Sequence, residues 1–305
     1  MTTPVVLPGR DDLSVVIVNY NAGSLLTECV RGALAGSRKV LVVDNDSTDG
    51  SLVECEREFG SDPYFGCIRN GYNAGFAAAC NVGLRACSTE YILFLNPDCS
   101  LEAGAIARML EVFAEQSHVG MVGGLLLNED GSEQGGGRRA VPTPWRSLVR
   151  MTGLSRFSSR WPKLFFDFYL HKQPLPLAPI DVEAISGACM LVSKTAVDDV
   201  GNWDEGYFLH CEDLDWCMRF RQREWRIVFV PTARVVHALG ACSRNRPIFV
   251  EWHKHRGMMR FYRKFFRHQY PGLLMWIVAV GVWTRFALLA SVHFIRGLRG
   301  RVGDR

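Results

Sequence analysis

Residues Ser14–Asp44 read SVVIVNYNAGSLLTECVRGALAGSRKVLVVD. Ser14–Asn19 is an apolar run of strand length, Ser24–Ala35 has helical spacing behind a Ser N-cap, and Lys39–Asp44 is a second apolar run. The alternation continues downstream. Ser47 or Thr48 can cap a helix to about Glu58, Gly66–Arg69 reads as a strand and Ala74–Arg85 as a helix. Tyr91–Leu95 is a strand, Glu102–Glu115 a helix and Val119–Leu127 another strand. Strands with no polar face, each followed by a helix, predict a Rossmann-like α/β fold: a mostly parallel central sheet with helices on both faces.

The bulk properties set the frame for that unit. The chain has 305 residues, room for one large domain and an appendage, and 48% hydrophobic residues, a globular composition. A net charge of +4 is too small to call for nucleic acid as a partner. The ten cysteines lie between Cys29 and Cys242 with no C-x-x-C pair, which reads as buried thiols in a reducing compartment. Met1–Asp12 lacks a basic-then-apolar export pattern.

In parallel sheets ligands bind at the carboxyl ends of the strands. Here those ends read Asn19-Tyr20-Asn21, Asp44-Asn45-Asp46, Arg69-Asn70 and Asn96-Pro97-Asp98. Asp98 is placed where a divalent cation could meet a diphosphate, although a turn Asp after Pro97 is the plainer reading of that residue alone. His237, behind the strand-like run Ala233–Val236, is a further candidate ligand. Glu212, Asp213 and Asp215 open an apolar helix, where negative charge is favourable in itself. Trp203, Tyr207, Phe208 and Trp216 surround them, and aromatics beside acids suit sugar stacking with a carboxylate as general base. The first strand is followed by NYNAGS and no G-x-G-x-x-G, which disfavours a nicotinamide-dependent oxidoreductase.

Taken in order, VVIVNYN (Val15–Asn21), VVDNDSTDGS (Val42–Ser51), RNGYNAGFAAACNVGL (Arg69–Leu84), LFLNPD (Leu93–Asp98), VGMVGGLLLNEDGS (Val119–Ser132), the run from Ala184 to Arg219 and VPTARVVHALGACS (Val230–Ser243) resemble the family 2 glycosyltransferases, in particular their bacterial rhamnosyltransferase-like branch. The resemblance covers about 14–265. It implies a GT-A fold, an inverting transfer from a nucleotide-sugar donor, and a divalent cofactor, Mg2+ or Mn2+. It implies donor-binding roles for Asn19, Asn21, Asp44, Asn73 and Asp98, metal ligation by Asp98 and His237, and Asp213 as catalytic base with Glu212 beside it. The branch points to dTDP-L-rhamnose as donor, with a UDP-hexose as the alternative. A non-catalytic nucleotide- or glycan-binding protein is the reading of a different class, and retention of both Asp98 and Asp213 speaks against it.

Three stretches remain. Residues 128–180 read as a long excursion on the acceptor side of a catalytic domain spanning 1–245. Its Arg138, Arg139 and Arg146 are candidates for an acceptor phosphate, and Arg138 joins Trp203, Tyr207 and Trp216 as an expected acceptor residue. Residues 246–305 read as a membrane-associating tail. Arg256, Arg260, Arg263 and Arg267 form one helical stripe roughly opposite Met258, Phe261 and Phe265. Leu273–Ile295 is apolar and long enough to span a bilayer, but Arg285 interrupts it, which favours an interfacial or re-entrant anchor. The expected partners are a nucleotide sugar, a glycan or polyprenyl-linked acceptor and a membrane surface. The expected location is the cytoplasmic face of the cell membrane.

Overall fold

The computed structural model describes residues 8–238, 240 and 246–303, so Met1–Leu7 and the end of the last quoted motif lie outside the described residues. The expected alternation is present. It runs β1 (Leu13–Asn19), α1 (Leu25–Leu34), β2 (Lys39–Asp44), α2 (Ser51–Phe59), β3 (Phe65–Arg69), α3 (Phe76–Arg85) and β4 (Tyr91–Leu95). Every residue of β1 and β4 is buried, because helices cover both faces of the sheet. Gly83 lets α3 approach closely: a Cβ there would lie 2.4 Å from Val16 Cγ1 of β1.

The next elements are β5 (Cys99–Leu101), α4 (Ala105–Glu115), β6 (Val119–Leu127), β7 (Arg138–Arg139) and α5 (Pro144–Met151). The two-residue β8 (Ile180–Asp181) and β9 (Ala184–Ile185) lead to β10 (Cys189–Ser193), α6 (Lys194–Val200), α7 (Glu212–Gln222) and β11 (Arg226–His237). Among the described residues the main sheet runs β3-β2-β1-β4-β10-β6-β11-β5, with β8 also pairing β11. β10 is antiparallel to both β4 and β6, whereas β3, β2, β1 and β4 are mutually parallel. β7 and β9 form a separate antiparallel pair. Two long helices, α8 (Pro247–Phe266) and α9 (Gly272–Gly303), end the chain.

The chain divides into two compact units. The first contains the sheet and runs through Ala140, Tyr169–Gly206 and Glu212 onward through β11. The second gathers Val141–Phe168, Tyr207–Cys211 and the C-terminal helices. This grouping differs from a single excursion at 128–180 on the catalytic domain, because its middle portion, Val141–Phe168, groups with the tail. Tyr262 of α8 donates its hydroxyl to Ser147 Oγ of α5 at 2.6 Å, and Gly281 of α9 leaves room for Met151. The arginines of the α8 stripe are exposed as expected. Phe261 and Phe265 are buried, however, so the apolar side of that helix packs on protein.

Candidate active site

Three clusters gather at the strand ends of the first unit. At the ends of β1 and β2, Asp44 Oδ1 accepts from Asn19 Nδ2 at 2.7 Å and Oδ2 accepts from the Ser47 amide at 3.0 Å. Asn19 also reaches Ser51 Oγ at 2.9 Å and is fully buried, so it holds Asp44 in place and has no surface to offer a ligand. Asn21 sits at φ 54°, a left-handed conformation that Asn tolerates, and its Oδ1 accepts from the Thr48 amide. Asn73 is used locally: its Oδ1 accepts from Gly75 N, while Asn45 bridges from Asn70 to Gly75 O. Sequence reading passed over Asp49, which accepts from Gly23 N and from both the amide and hydroxyl of Ser51. Burial opposes its charge, yet those hydrogen bonds outweigh it and hold the carboxyl below its usual range.

The second cluster is set by strand register. β11 pairs antiparallel with β5 so that His237 faces Cys99, and the neighbouring Asp98 comes with it. Asp98 Oδ1 and His237 Nε2 face each other at 3.1 Å, and no hydrogen bond among the described residues satisfies that oxygen. Asn96 Nδ2 is 3.5 Å from the same nitrogen. Donor atoms of Asp98, Cys99 and His237 all lie within 4.8 Å of one another. Cys99 is the weakest of the three as a ligand. Burial pushes its thiol well above the usual range, and Sγ donates to Ala188 O. A buried carboxylate oxygen without a hydrogen bond among the described residues, facing an imidazole nitrogen, is a donor set that fits a divalent cation.

The third cluster stands at the start of α7. Asp213 Oδ2 accepts from Gly187 N at 3.2 Å and is ion-paired with Arg139 of β7, while Oδ1 accepts from Leu214 N at 2.7 Å. Glu212 is buried, and its Oε2 has no hydrogen-bond partner among the described residues. Burial first, and the Asp213 charge second, push the Glu212 carboxyl up to about 8, against the pull of its own amide and Arg139. The Glu212 site therefore favours the protonated carboxyl. The second and third clusters hang from one dipeptide: Gly187 N holds Asp213, and Ala188 O accepts from the Asn96 amide just before Asp98.

The expected acceptor residues fall elsewhere. Trp203 and Trp216 are 3% and 0% exposed and stack against each other and Phe94, so neither ring has a face for a sugar. Asn81 clamps Trp203 through both its amide and its carbonyl. Tyr207, in the second unit, is also buried, with the Arg260 guanidinium over its ring. Arg138 is turned inward and spent on Glu133 and on the carbonyls of Gln173 and Pro174. Its neighbour Arg139, with the opposite strand face, is the arginine that reaches the acids.

The sheet, the antiparallel β10 and the clustered acids define a GT-A-type glycosyltransferase fold. Solved structures agree. The mannosyltransferase PcManGT from Pyrobaculum calidifontis, in complex with GDP-Man and Mn2+, superposes with a TM-score of 0.57 at 14% identity, covering 92% of this chain and 72% of that one. GalNAc-T7 with UDP, GalNAc and Mn2+ gives 0.57 at 18% identity over 76% of this chain and 44% of that one. Residues 14–201 match the model of glycosyl transferase family 2, and the chain belongs to that family. N-acetylglucosaminyl-diphospho-decaprenol L-rhamnosyltransferase of Mycobacterium tuberculosis (strain H37Rv) is 30% identical over 241 residues, 74% of this chain and 76% of that protein. Rhamnosyltransferase WbbL of Escherichia coli (strain K12) is 24% identical over 78% of this chain and 88% of its own. The protein is thus a family 2 glycosyltransferase of the rhamnosyltransferase-like kind.

Proposed function

We propose that the protein transfers a sugar, with inversion, from a nucleoside-diphosphate donor to a hydroxyl of a lipid-linked envelope glycan, and that the donor is dTDP-L-rhamnose. The observation that carries this reading is that adjacent loop residues tie the two segments together: Gly187 N donates to Asp213, and Ala188 O accepts from the amide of Asn96, two residues before Asp98. An inverting displacement needs a leaving-group site and a base held near each other but carried by different chain segments, and here Asp98 follows β4 while Asp213 opens α7. Asp44 has lone pairs left to accept from a base N–H. Asp98 and His237 would hold a divalent cation, which supplies charge neutralisation for the departing diphosphate. Gly187, Leu214 and Arg139 fix the Asp213 carboxylate, and a remaining lone pair on Oδ1 takes the proton of the acceptor hydroxyl as the acceptor oxygen attacks the anomeric carbon and the bond from that carbon to the nucleoside diphosphate breaks on the opposite face. Glu212, kept protonated, adds no second negative charge beside the base.

The rhamnosyl donor and the lipid-linked acceptor are suggested by two of its relatives, one of which is named for an N-acetylglucosaminyl-diphospho-decaprenol substrate. The α9 helix, apolar over Gly272–Arg296 and 11% buried there, supports work at a membrane surface. The nine described cysteines are all free thiols, which suits the cytoplasmic face. Asp213→Asn should bind dTDP with Mn2+ as wild type does, by calorimetry, while transfer falls by at least about 100-fold. Wild-type transfer by that variant would remove Asp213 from the role of base. Preference for UDP over dTDP in the same titration would discard rhamnose and keep the mechanism.

A further inference from the structure

The loop after β6, Asn128-Glu-Asp-Gly-Ser-Glu-Gln134, is used by none of the steps above. It ends at His237. Gln134 and His237 are both buried, and Gln134 Oε1 lies 2.7 Å from His237 Nδ1. Gln134 Nε2 is 3.2 Å from the His237 carbonyl oxygen and 3.1 Å from Asn128 Oδ1. The His237 carbonyl can only accept, so the NH2 end of the Gln134 amide must face it. The end facing Nδ1 is then the oxygen, which also can only accept, so Nδ1 carries the hydrogen.

The far end of the loop enforces the same direction. Asp130, exposed and held below the usual carboxylate range by the Ser132 hydroxyl and amide, is an acceptor only. Its Oδ1 accepts from Ser132 Oγ at 2.5 Å. With its hydrogen committed, that hydroxyl accepts from Asn128 Nδ2 at 2.9 Å, which leaves Asn128 Oδ1 to accept from Gln134. Each donor is fixed by the acceptor before it, from the Asp130 carboxylate to the imidazole. The backbone pins the relay as well: Gln134 N donates to Leu126 O, and Asn128 N to Ser132 O.

We propose that Gln134, oriented by Asn128, Ser132 and Asp130, is a positioning residue that locks His237 as its Nδ1–H tautomer and presents the Nε2 lone pair, beside Asp98, to a divalent cation. This rests on the reading of His237 as a metal ligand. Outer residues of this sort fix ring orientation and raise ligand basicity, and their loss weakens metal binding by about 10- to 100-fold.

The test uses the full chain in detergent, labelled with 15N-histidine, at pH 8, where an imidazole is ordinarily neutral. The signal of His237 is identified by its loss in His237→Ala. Nδ1 should show the shift of a protonated ring nitrogen and Nε2 that of a bare one. Mn2+ alone is then titrated and free ion counted by electron paramagnetic resonance. Gln134→Leu should weaken binding by about 10- to 100-fold. Asn128→Asp, which still accepts from Gln134, should stay close to wild type. A wild-type His237 protonated on Nε2 overturns the relay even if Gln134→Leu fails to fold. So does a Gln134→Leu affinity equal to wild type when His237→Ala is weakened. Wild-type affinity in His237→Ala overturns the relay and the metal reading together.

Discussion

At the scale of single residues, the acids of the site have opposite settings. Asp213 is held by an arginine and two amides, whereas Glu212 is buried with a bare oxygen. Glu212 carries a stability consequence. Its carboxyl loses its proton near 4.5 in the unfolded chain and near 8 in the folded one. Between those values the folded protein binds the extra proton, so the contribution of this one carboxyl to stability falls as pH rises from about 4.5 and is gone above about 8. Glu212→Gln removes the term. The melting temperature of the variant minus that of wild type should therefore grow from pH 5 to 8 and then level off. Parallel curves would show that Glu212 titrates normally. Part of this was legible: Asp44, Asp98 and Asp213 stand out at strand ends or a helix start. The pairing of His237 with Asp98 was reached only through the family resemblance, because 139 residues and a strand register separate them and leave no spacing signature. Arg138 and Arg139 are indistinguishable in sequence, and only the pleat of β7 sends one inward and the other to Asp213. The tryptophans misled for a related reason: an aromatic beside acids in sequence says nothing of which face of the backbone it occupies.

At the scale of elements, the strands were legible wherever both faces are apolar, as in β1, β2, β4 and β6. In β11 the strand-like run Ala233–Val236 is preceded by Pro231, which lacks the N–H of a regular strand. The strand in fact continues to His237 through a register shift between Val230 and Arg234, where the missing N–H costs no ladder bond. α2 begins at Ser51 behind a left-handed Gly50, not at a Ser47 or Thr48 cap, since Ser47 is already committed to Asp44 and Asn21 and Thr48 to Asn21. The antiparallel β10 carries no sequence mark of its direction. Contact between α3 and β1 sets how closely the helix layer sits on the sheet. Gly83→Ala puts a Cβ 2.4 Å from Val16 Cγ1 and should destabilise by about 1–3 kcal/mol in urea unfolding. Val16→Ala makes room, so the double variant should be more stable than the sum of the singles. Strict additivity would mean that α3 does not rest on Val16.

At the scale of the whole molecule, the proposed membrane contact turns on α9. Gly272–Arg296 has a mean hydropathy of 1.9 and the length of a span, a property that buried core helices share. This helix is not a core helix: Leu273, Trp276, Val280 and Leu288 are exposed. Nor does it stand free as a span would. Val278 and Val282 are buried, and Trp283 and Phe286 stack on Trp252 and His255 of α8. A transmembrane α9 would draw α8 with it, and the exposed Arg256, Arg260, Arg263 and Arg267 would enter hydrocarbon at about 2.5–3.5 kcal/mol each. Lying in the interface avoids that cost, with the α9 side chains in the acyl region and the arginines among headgroups. The full chain should therefore float with vesicles, more completely when they contain anionic lipid, and high salt should reverse the anionic increment alone. Exchanging Leu273, Trp276, Val280 and Leu288 for serine should leave it in the aqueous fraction. A C-terminal tag on protein inserted during synthesis should stay on the side of the catalytic unit, and its protection from protease inside the vesicle would establish a span instead.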